Sequence, residues 1–193
     1  MRSTTAQWIG RSLLIVATAV SSACGYDTPD GTTAPRTSGI AGRGNGDRLP
    51  DVTGCEDLAA PEGSQLLVTA FGVGVQIYHW NGTSWGAATP SATLYADAGL
   101  NAVVATHFAG PTWQSNSGGK VVGTVLKKCF ADAASIPWLS LSGVSDGAGV
   151  FQHVNFIQRL HTVGGNAPAA AGTVIGEERQ IPYTADYLFY KAP

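Results

Sequence analysis

Charged residues are scarce in this sequence. Lys, Arg, Asp and Glu make up 12% of the 193 residues, the formal net charge is -2, and no run rich in Lys or Arg is present. Nucleic-acid binding depends on such basic clusters, so we exclude it. The ligand motifs H-x-H, C-x-x-C and D-x-D-x-D-G are also missing, and we therefore expect no metal and no cofactor.

The sequence also lacks a sustained helical pattern. Apolar residues at helical spacing never persist beyond two turns, although 44% of the residues are hydrophobic and 25 are Gly. Instead, β-rich runs alternate with turn residues, which predicts an all-β fold, a single antiparallel β-sandwich or barrel-like domain. One short helical turn is predicted over 56–60. The predicted strands cover residues 64–71, 73–80, 92–95, 102–108, 121–129, 137–141, 149–162 and 181–190.

The amino-terminal residues have the pattern of an export leader. Arg2 and Arg11 accompany an apolar run over 13–20, and small residues lead up to Cys24. We expect residues 1–23 to be a signal peptide of the lipoprotein type, with a lipid attached to Cys24. Plain secretion, after cleavage behind Ala23, is the alternative.

Residues 24–51 contain many Gly, Pro, Thr, Ser and Asp and show no hydrophobic period, which indicates a flexible linker. The folded domain is then predicted over 52–193. With the leader, this layout places a lipid-anchored protein at the membrane of the bacterial cell envelope. A secreted or periplasmic protein is the alternative location.

Two cysteines remain in the predicted domain, Cys55 and Cys129. In an oxidising compartment, two cysteines of a small domain pair more often than they catalyse, so they are a disulfide candidate. The alternative, a nucleophilic thiol, has no local motif to support it.

The segment 94–123 contains side chains with binding or catalytic potential that a simple turn does not require. His107 offers a group that titrates near neutral pH, and Trp113 offers a flat apolar face with one N–H donor. Alternatively, Trp113 plugs the end of the barrel while His107 binds the backbone of the turn. The ligand-binding candidates are His107, Trp113, Trp138 and Arg159.

The faces of the predicted strand 149–162 differ in polarity. With a period of two, His153, Arg159 and His161 share one face, and Val154 and Leu160 belong to a more apolar face. We expect the apolar face to point inward and both histidines to face solvent.

The motif G-x-S-x-G occurs at 82–86, but it directly follows Asn81. An Asn-Gly pair between two β-rich runs predicts a hairpin turn, with Trp85 lying across from Tyr78 or Trp80. The nucleophile elbow of serine hydrolases needs a strand followed by a helix, and no helix is predicted here.

Several blocks in order resemble the domain-of-unknown-function family DUF3455, a set of exported bacterial and fungal proteins. The resemblance covers about residues 56–191 and implies no agreed activity. Members often have a Cys after the Q-I-Y strand and another after the G-G loop, positions where this chain has other residues. The matching blocks are 74–78, 92–95, 106–113, 121–123, 136–139, 157–159, 162–165 and 181–187.

Three functions are compatible with these features. The first is a non-catalytic module that binds a small molecule or an envelope component. The second is a hydrolase-type enzyme with His107 as general base, oriented by Asp97 or Asp186. The third is a purely structural envelope or coat protein.

Overall fold

A computed structural model describes residues 50–193, in which eight antiparallel strands close into a barrel. Each strand pairs with the next along the chain, and β8 closes the barrel by pairing with β1. The all-β prediction is confirmed, as a barrel. The strands are β1 (Gln65–His79), β2 (Thr89–Tyr95), β3 (Val103–Phe108), β4 (Thr112–Ser115), β5 (Lys120–Cys129), β6 (Trp138–Ser145), β7 (Phe156–Gly164) and β8 (Glu178–Lys191).

The described part also contains two short 3-10 turns, Glu56–Leu58 and Gly149–Phe151. The first confirms the helical turn predicted over 56–60. Within residues 50–193, no helix is long and apolar enough to cross a bilayer. The predicted leader, Cys24 and nearly all of the predicted linker lie outside the described residues.

Successive loops of this barrel lie at alternating ends, because each strand runs antiparallel to the one before it. We call the two ends upper and lower. The upper end has the loops 80–88, 109–111, 130–137 and 165–177, and the lower end has the loops 96–102, 116–119 and 146–155.

Strand β1 passes through Gly72 without a break, so the prediction of two strands separated there is wrong. The absence of a side chain at Gly72 permits close packing and does not form a turn. A Cβ atom at this position would lie 2.6 Å from the ring of Tyr187, which occupies that space. The hairpin prediction that follows β1 is confirmed, because Trp80 and Trp85 form a β-bridge.

The predicted strand over 149–162 is wrong in its first half. Gly149–Phe151 form a 3-10 turn, and β7 begins only at Phe156. His153 has a φ of 68°, which breaks the extended chain between them. The turn places Phe151 in the lower end of the barrel, where its ring packs 4.7 Å from that of Phe189. The apolar residues here therefore close the barrel instead of forming a sheet.

The two faces of β7 are the reverse of the prediction. Ile157 packs in the barrel core, and Arg159, two residues on, points the same way. Phe156 and Leu160 face outward but are still buried, since residues 52–60 cover them. We call residues 52–60 the N-terminal strap. Both faces of β7 are buried, so polarity alone did not distinguish inside from outside.

The strap is fixed to the barrel by a covalent bond and a buried contact. Cys55 forms a disulfide with Cys129 at the end of β5, as predicted. Leu58 is fully buried against β7 and β8, and its carbonyl accepts a 2.6 Å hydrogen bond from Nε2 of Gln158. The strap thus completes the outer surface of these strands.

Candidate functional site

The upper half of the barrel interior contains a group of polar side chains among apolar ones. They occupy inward positions of five strands, and most of them are almost fully buried. We call this group the inner polar cluster. Its members are Gln76, His107, Trp113, Arg159, Tyr183 and Tyr187.

His107 and Trp113 are directly opposite each other on β3 and β4. Their rings stack with centroids 4.4 Å apart and an interplanar angle of 5°. The edge of Tyr187 approaches both rings, at 5.4 Å and 5.7 Å. The two sequence candidates are therefore brought together. Trp113 belongs to a strand and not to a loop that folds over the barrel end.

The imidazole of His107 is held in one neutral form. Its Nδ1 lies 2.9 Å from the carbonyl oxygen of Thr112, which only accepts hydrogen bonds, so Nδ1 carries the proton. Burial lowers the pKa of His107 to about 4, the Thr112 bond acts in the opposite direction, and the positive charge of Arg159 lowers the pKa further. A base with this pKa accepts protons poorly at neutral pH.

The carboxylates suggested as partners of His107 have other contacts. Asp186 lies 2.8 Å from Nδ1 of His161 on the outside of the barrel. Asp97 binds the side chain of Asn101 in the loop between β2 and β3, at the lower end. The arrangement that a histidine general base requires is thus not formed by either residue.

Two tyrosines of β8 connect the other members of the cluster. The hydroxyls of Tyr183 and Tyr187 are 3.0 Å apart, and burial raises the pKa of both phenols. The amide of Gln76 lies beside the Tyr183 hydroxyl, and the guanidinium of Arg159 lies beside the Tyr187 hydroxyl. Both phenols therefore stay protonated at neutral pH and offer hydrogen bonds to a neighbouring acceptor.

Three buried nitrogen donors of the cluster make no hydrogen bond of good geometry within the protein, although the Gln76 amide and the Arg159 guanidinium lie beside the Tyr183 and Tyr187 hydroxyls. The three donors are Nε2 of Gln76, Nε1 of Trp113 and Nε of Arg159. Gln76 is 3% exposed and Trp113 is 1% exposed, so bulk water does not solvate them. Most buried polar groups in folded proteins are paired, which makes three unpaired donors in one cluster informative.

Trp138 does not join this group. It is opposite Cys129 on the outer face of the barrel, where its ring meets the edge of His161 at 4.9 Å. The neighbouring Leu139 is the residue that points into the core. Both predicted solvent-facing histidines, His153 and His161, are exposed. Of the four ligand candidates, the structure therefore brings together His107, Trp113 and Arg159.

The sequence-based reasoning missed Gln76, Tyr183 and Tyr187. A signal for the tyrosines was present, since they alternate with the buried Ala185 at a period of two. Gln76 likewise shares its face with Gly72 and Gly74. A polar residue on a face of otherwise small residues indicates an inward position in a narrow barrel.

An open depression of about 440 Å³ lies on the outer side of β1, β2 and β3, behind His107. Its lining is mostly apolar or hydroxyl-bearing, with Val73, Thr93 and Phe108, and it also includes His107 of the inner polar cluster. No group of three or more His, Cys, Asp or Glu residues suited to a metal ion occurs in residues 50–193. The inner polar cluster therefore remains the candidate site.

Comparison with known proteins identifies a family but no activity. No curated protein and no solved structure matches this chain. Residues 61–191, which include every strand of the barrel and the whole inner polar cluster, match the model of a family described as a protein of unknown function, DUF3455. The chain belongs to the DUF3455 family.

Proposed function

We propose that this chain is an exported, lipid-anchored binding protein whose barrel holds a small ligand at the inner polar cluster. One observation carries the proposal, namely the three buried donors of Gln76, Trp113 and Arg159 that have no partner in the protein. Closed barrels of about eight strands have space for side chains or for one small ligand.

The energetic cost of these donors supports a role in binding. A buried donor without a partner destabilises the folded state by roughly 1–3 kcal/mol, and an apolar residue of similar shape avoids that cost. Acceptor atoms of a ligand would pair the donors and offset it. Ordered water would pair them too, so the experiment has to separate the two occupants.

A binding role also fits the chemistry of the cluster better than catalysis. The proton on Nδ1 of His107 is engaged by the Thr112 carbonyl, and burial keeps the ring neutral. The members of the cluster are therefore mostly hydrogen-bond donors and ring surfaces, as in sites that orient a ligand without reacting with it.

The binding proposal is tested by NMR of the barrel domain with ¹⁵N-labelled tryptophan, titrated with benzoate and with benzyl alcohol. We expect a saturable shift of the Trp113 indole resonance with at least one compound. The Trp85 indole donates to the carbonyl of Ala170 outside the barrel and serves as the internal control. If neither of these compounds nor phenyl phosphate moves the Trp113 resonance, the binding proposal is wrong.

The location part of the proposal has its own support and test. The leader pattern ends at Cys24, and the Cys55–Cys129 disulfide fits an oxidising compartment. Mass spectrometry of the mature amino terminus should find a lipid-modified Cys24. An unmodified Cys24, or a mature chain that starts elsewhere, contradicts lipid anchoring.

A further inference from the structure

We propose that the ligand is a small organic anion, and that Arg159 and Lys128 bind its carboxylate or phosphate group. This inference rests on the binding function proposed above and adds the chemical class of the ligand.

Arg159 has no acidic partner in residues 50–193. Four ion pairs occur there, and none includes this guanidinium. One terminal nitrogen, Nη2, donates to the carbonyl of Pro137 at 2.8 Å, and Nε is buried without a partner. The positive charge is thus partly desolvated but not neutralised by the protein, a state that favours an incoming anion.

Lys128 points to the same side of the sheet as Arg159. The strand register places Lys128 opposite Leu139, and Leu139 opposite Arg159. Directly opposite residues of antiparallel strands point to the same face, and Leu139 is part of the core. Two strand spacings separate the Cα atoms of Lys128 and Arg159 by about 10 Å. Lys128 is exposed to solvent, so it lies at the rim of the barrel on the same face as the partly buried Arg159, within reach of one small anion.

Carboxylates around the upper end are engaged elsewhere. Asp186 pairs with His161 on the outer face, and Glu177 pairs with Arg179. Glu178 lies 3.9 Å from His79, and Asp132 in the loop 130–137 accepts hydrogen bonds from Ala134 and Ser135. The charges of the inner face are therefore of one sign, which attracts anions and disfavours cations.

The barrel wall beside this region lacks strand pairing. The strand pairing between β4 and β5 ends at Thr112 and Val122, with one further backbone hydrogen bond from Gly123 to Pro111, so the second half of β5 has no strand partner on that side. Val125 is opposite the core residue Leu141 and therefore points inward, yet it is 39% exposed. Solvent therefore reaches an inward-facing position of β5 beside the short strand β4.

The test compares two neighbouring lysines of β5 whose side chains point to opposite faces of the sheet. Lys128 points inward, whereas Lys127 is opposite the outer residue Ser140 and lies 3.4 Å from Asp57. Affinities for benzoate, phenyl phosphate and benzyl alcohol are measured from the Trp113 indole shift in the parent chain, Lys128→Met, Lys127→Met, Arg159→Met and Arg159→Lys. A melting curve for each variant verifies that it is folded.

We expect an anion to bind about tenfold more tightly than benzyl alcohol, since a charge-assisted hydrogen bond is worth about 1.4 kcal/mol or more. Arg159→Met should remove this advantage, Arg159→Lys should restore part of it, and Lys128→Met should weaken anion binding while Lys127→Met leaves it unchanged. The preferred anion, benzoate or phenyl phosphate, identifies the group.

Two outcomes distinguish a failure of the anion proposal from a failure of the proposed binding function. If benzyl alcohol binds as tightly as both anions, or if Lys128→Met and Lys127→Met behave alike, the anion proposal is wrong and the binding function stands. If none of the three compounds moves the Trp113 resonance, the binding function itself is wrong, and the anion proposal with it.

Discussion

Two neighbouring residues of β7 show how differently this barrel treats polar groups on its two faces. Gln158 points outward and is fully buried, and its amide donates to the Leu58 carbonyl and accepts from the Tyr190 hydroxyl. Arg159 points inward, and its buried Nε has no partner. Outer buried polar groups here fasten the N-terminal strap, whereas several inner ones remain unpaired by the protein.

This difference distinguishes buried polar groups that stabilise the fold from those that serve a function. A buried polar group that serves only the fold is expected to be fully paired, because an unpaired one lowers stability. Natural proteins accept such costs at sites that bind or react. The outer face of β7 follows the first rule and the inner polar cluster follows the second. The predictions below test that division, from the largest expected effect to the smallest.

Removal of the strap disulfide should produce the largest change. The cysteines are separated by 74 positions, and opening a loop of that length lowers the free energy of unfolding by about 4 kcal/mol on the chain-entropy model. Denaturant unfolding of Cys55→Ser/Cys129→Ser measures this effect. The chemically reduced parent chain is the control and should unfold like the variant. Unchanged stability would mean that the strap is not a structural part of the barrel.

Acidification should weaken the inner cluster through His107. The folded-state pKa is about 4, below the ordinary value of 6.5, so the unfolded chain binds more protons between these two values. The stability contribution is complete above pH 6.5 and is lost as the pH falls toward 4, by about 3 kcal/mol. Unfolding as a function of pH measures it.

The variant His107→Leu is the control for this pH dependence. It should show a flatter fall in stability between pH 6.5 and 4 than the parent chain. An equally steep fall would show that other groups produce the acid sensitivity.

Two separate glutamine substitutions compare the outer and inner faces of the barrel directly. Gln158→Leu should lower the free energy of unfolding by about 2 kcal/mol, because it leaves the Leu58 carbonyl and the Tyr190 hydroxyl unpaired. Gln76→Leu removes a donor that has no partner, so it should leave the free energy of unfolding unchanged or raise it by up to about 1–3 kcal/mol. Equal losses in the two variants would erase the distinction between the faces.

The smallest effect is expected from His161, on the outside. The hydrogen bond to Asp186 raises its pKa, against the effect of burial, and the charges of Asp186 and Asp51 act in the same direction as the bond. The stability contribution is therefore complete below the ordinary histidine pKa of 6.5 and is lost as the pH rises through the folded-state value. His161→Gln should destabilise the chain more at pH 6 than at pH 8. The opposite order would contradict the contact with Asp186.

The sequence carried enough information for the fold class but not for the closure of the barrel. Alternating β-rich runs and the Asn81-Gly82 turn indicated the hairpins, since those signals are local. The error at Gly72 had a physical cause, because the glycine that suggests a turn here makes room for the ring of Tyr187. That ring belongs to β8, more than a hundred residues away in the sequence.

The candidate site was only partly predictable for a related reason. His107 and Trp113 were found because they lie close together in sequence and differ from ordinary turn residues. The inward direction of Arg159 was not predictable, since the strap buries the outer face of β7 and makes its apolar side look like the inner one. Lys128 follows a register shift between Val125 and Lys127, which alters the alternation of the strand.

A crystal structure of the barrel grown with benzoate would test the central claim most directly. The account predicts the carboxylate within hydrogen-bond distance of Arg159, with the donors of Gln76 and Trp113 paired to the ligand or to water that contacts it. Density for water alone at the three nitrogens, or a rearrangement that pairs them with protein acceptors, would show that the inner polar cluster serves the fold and not a ligand.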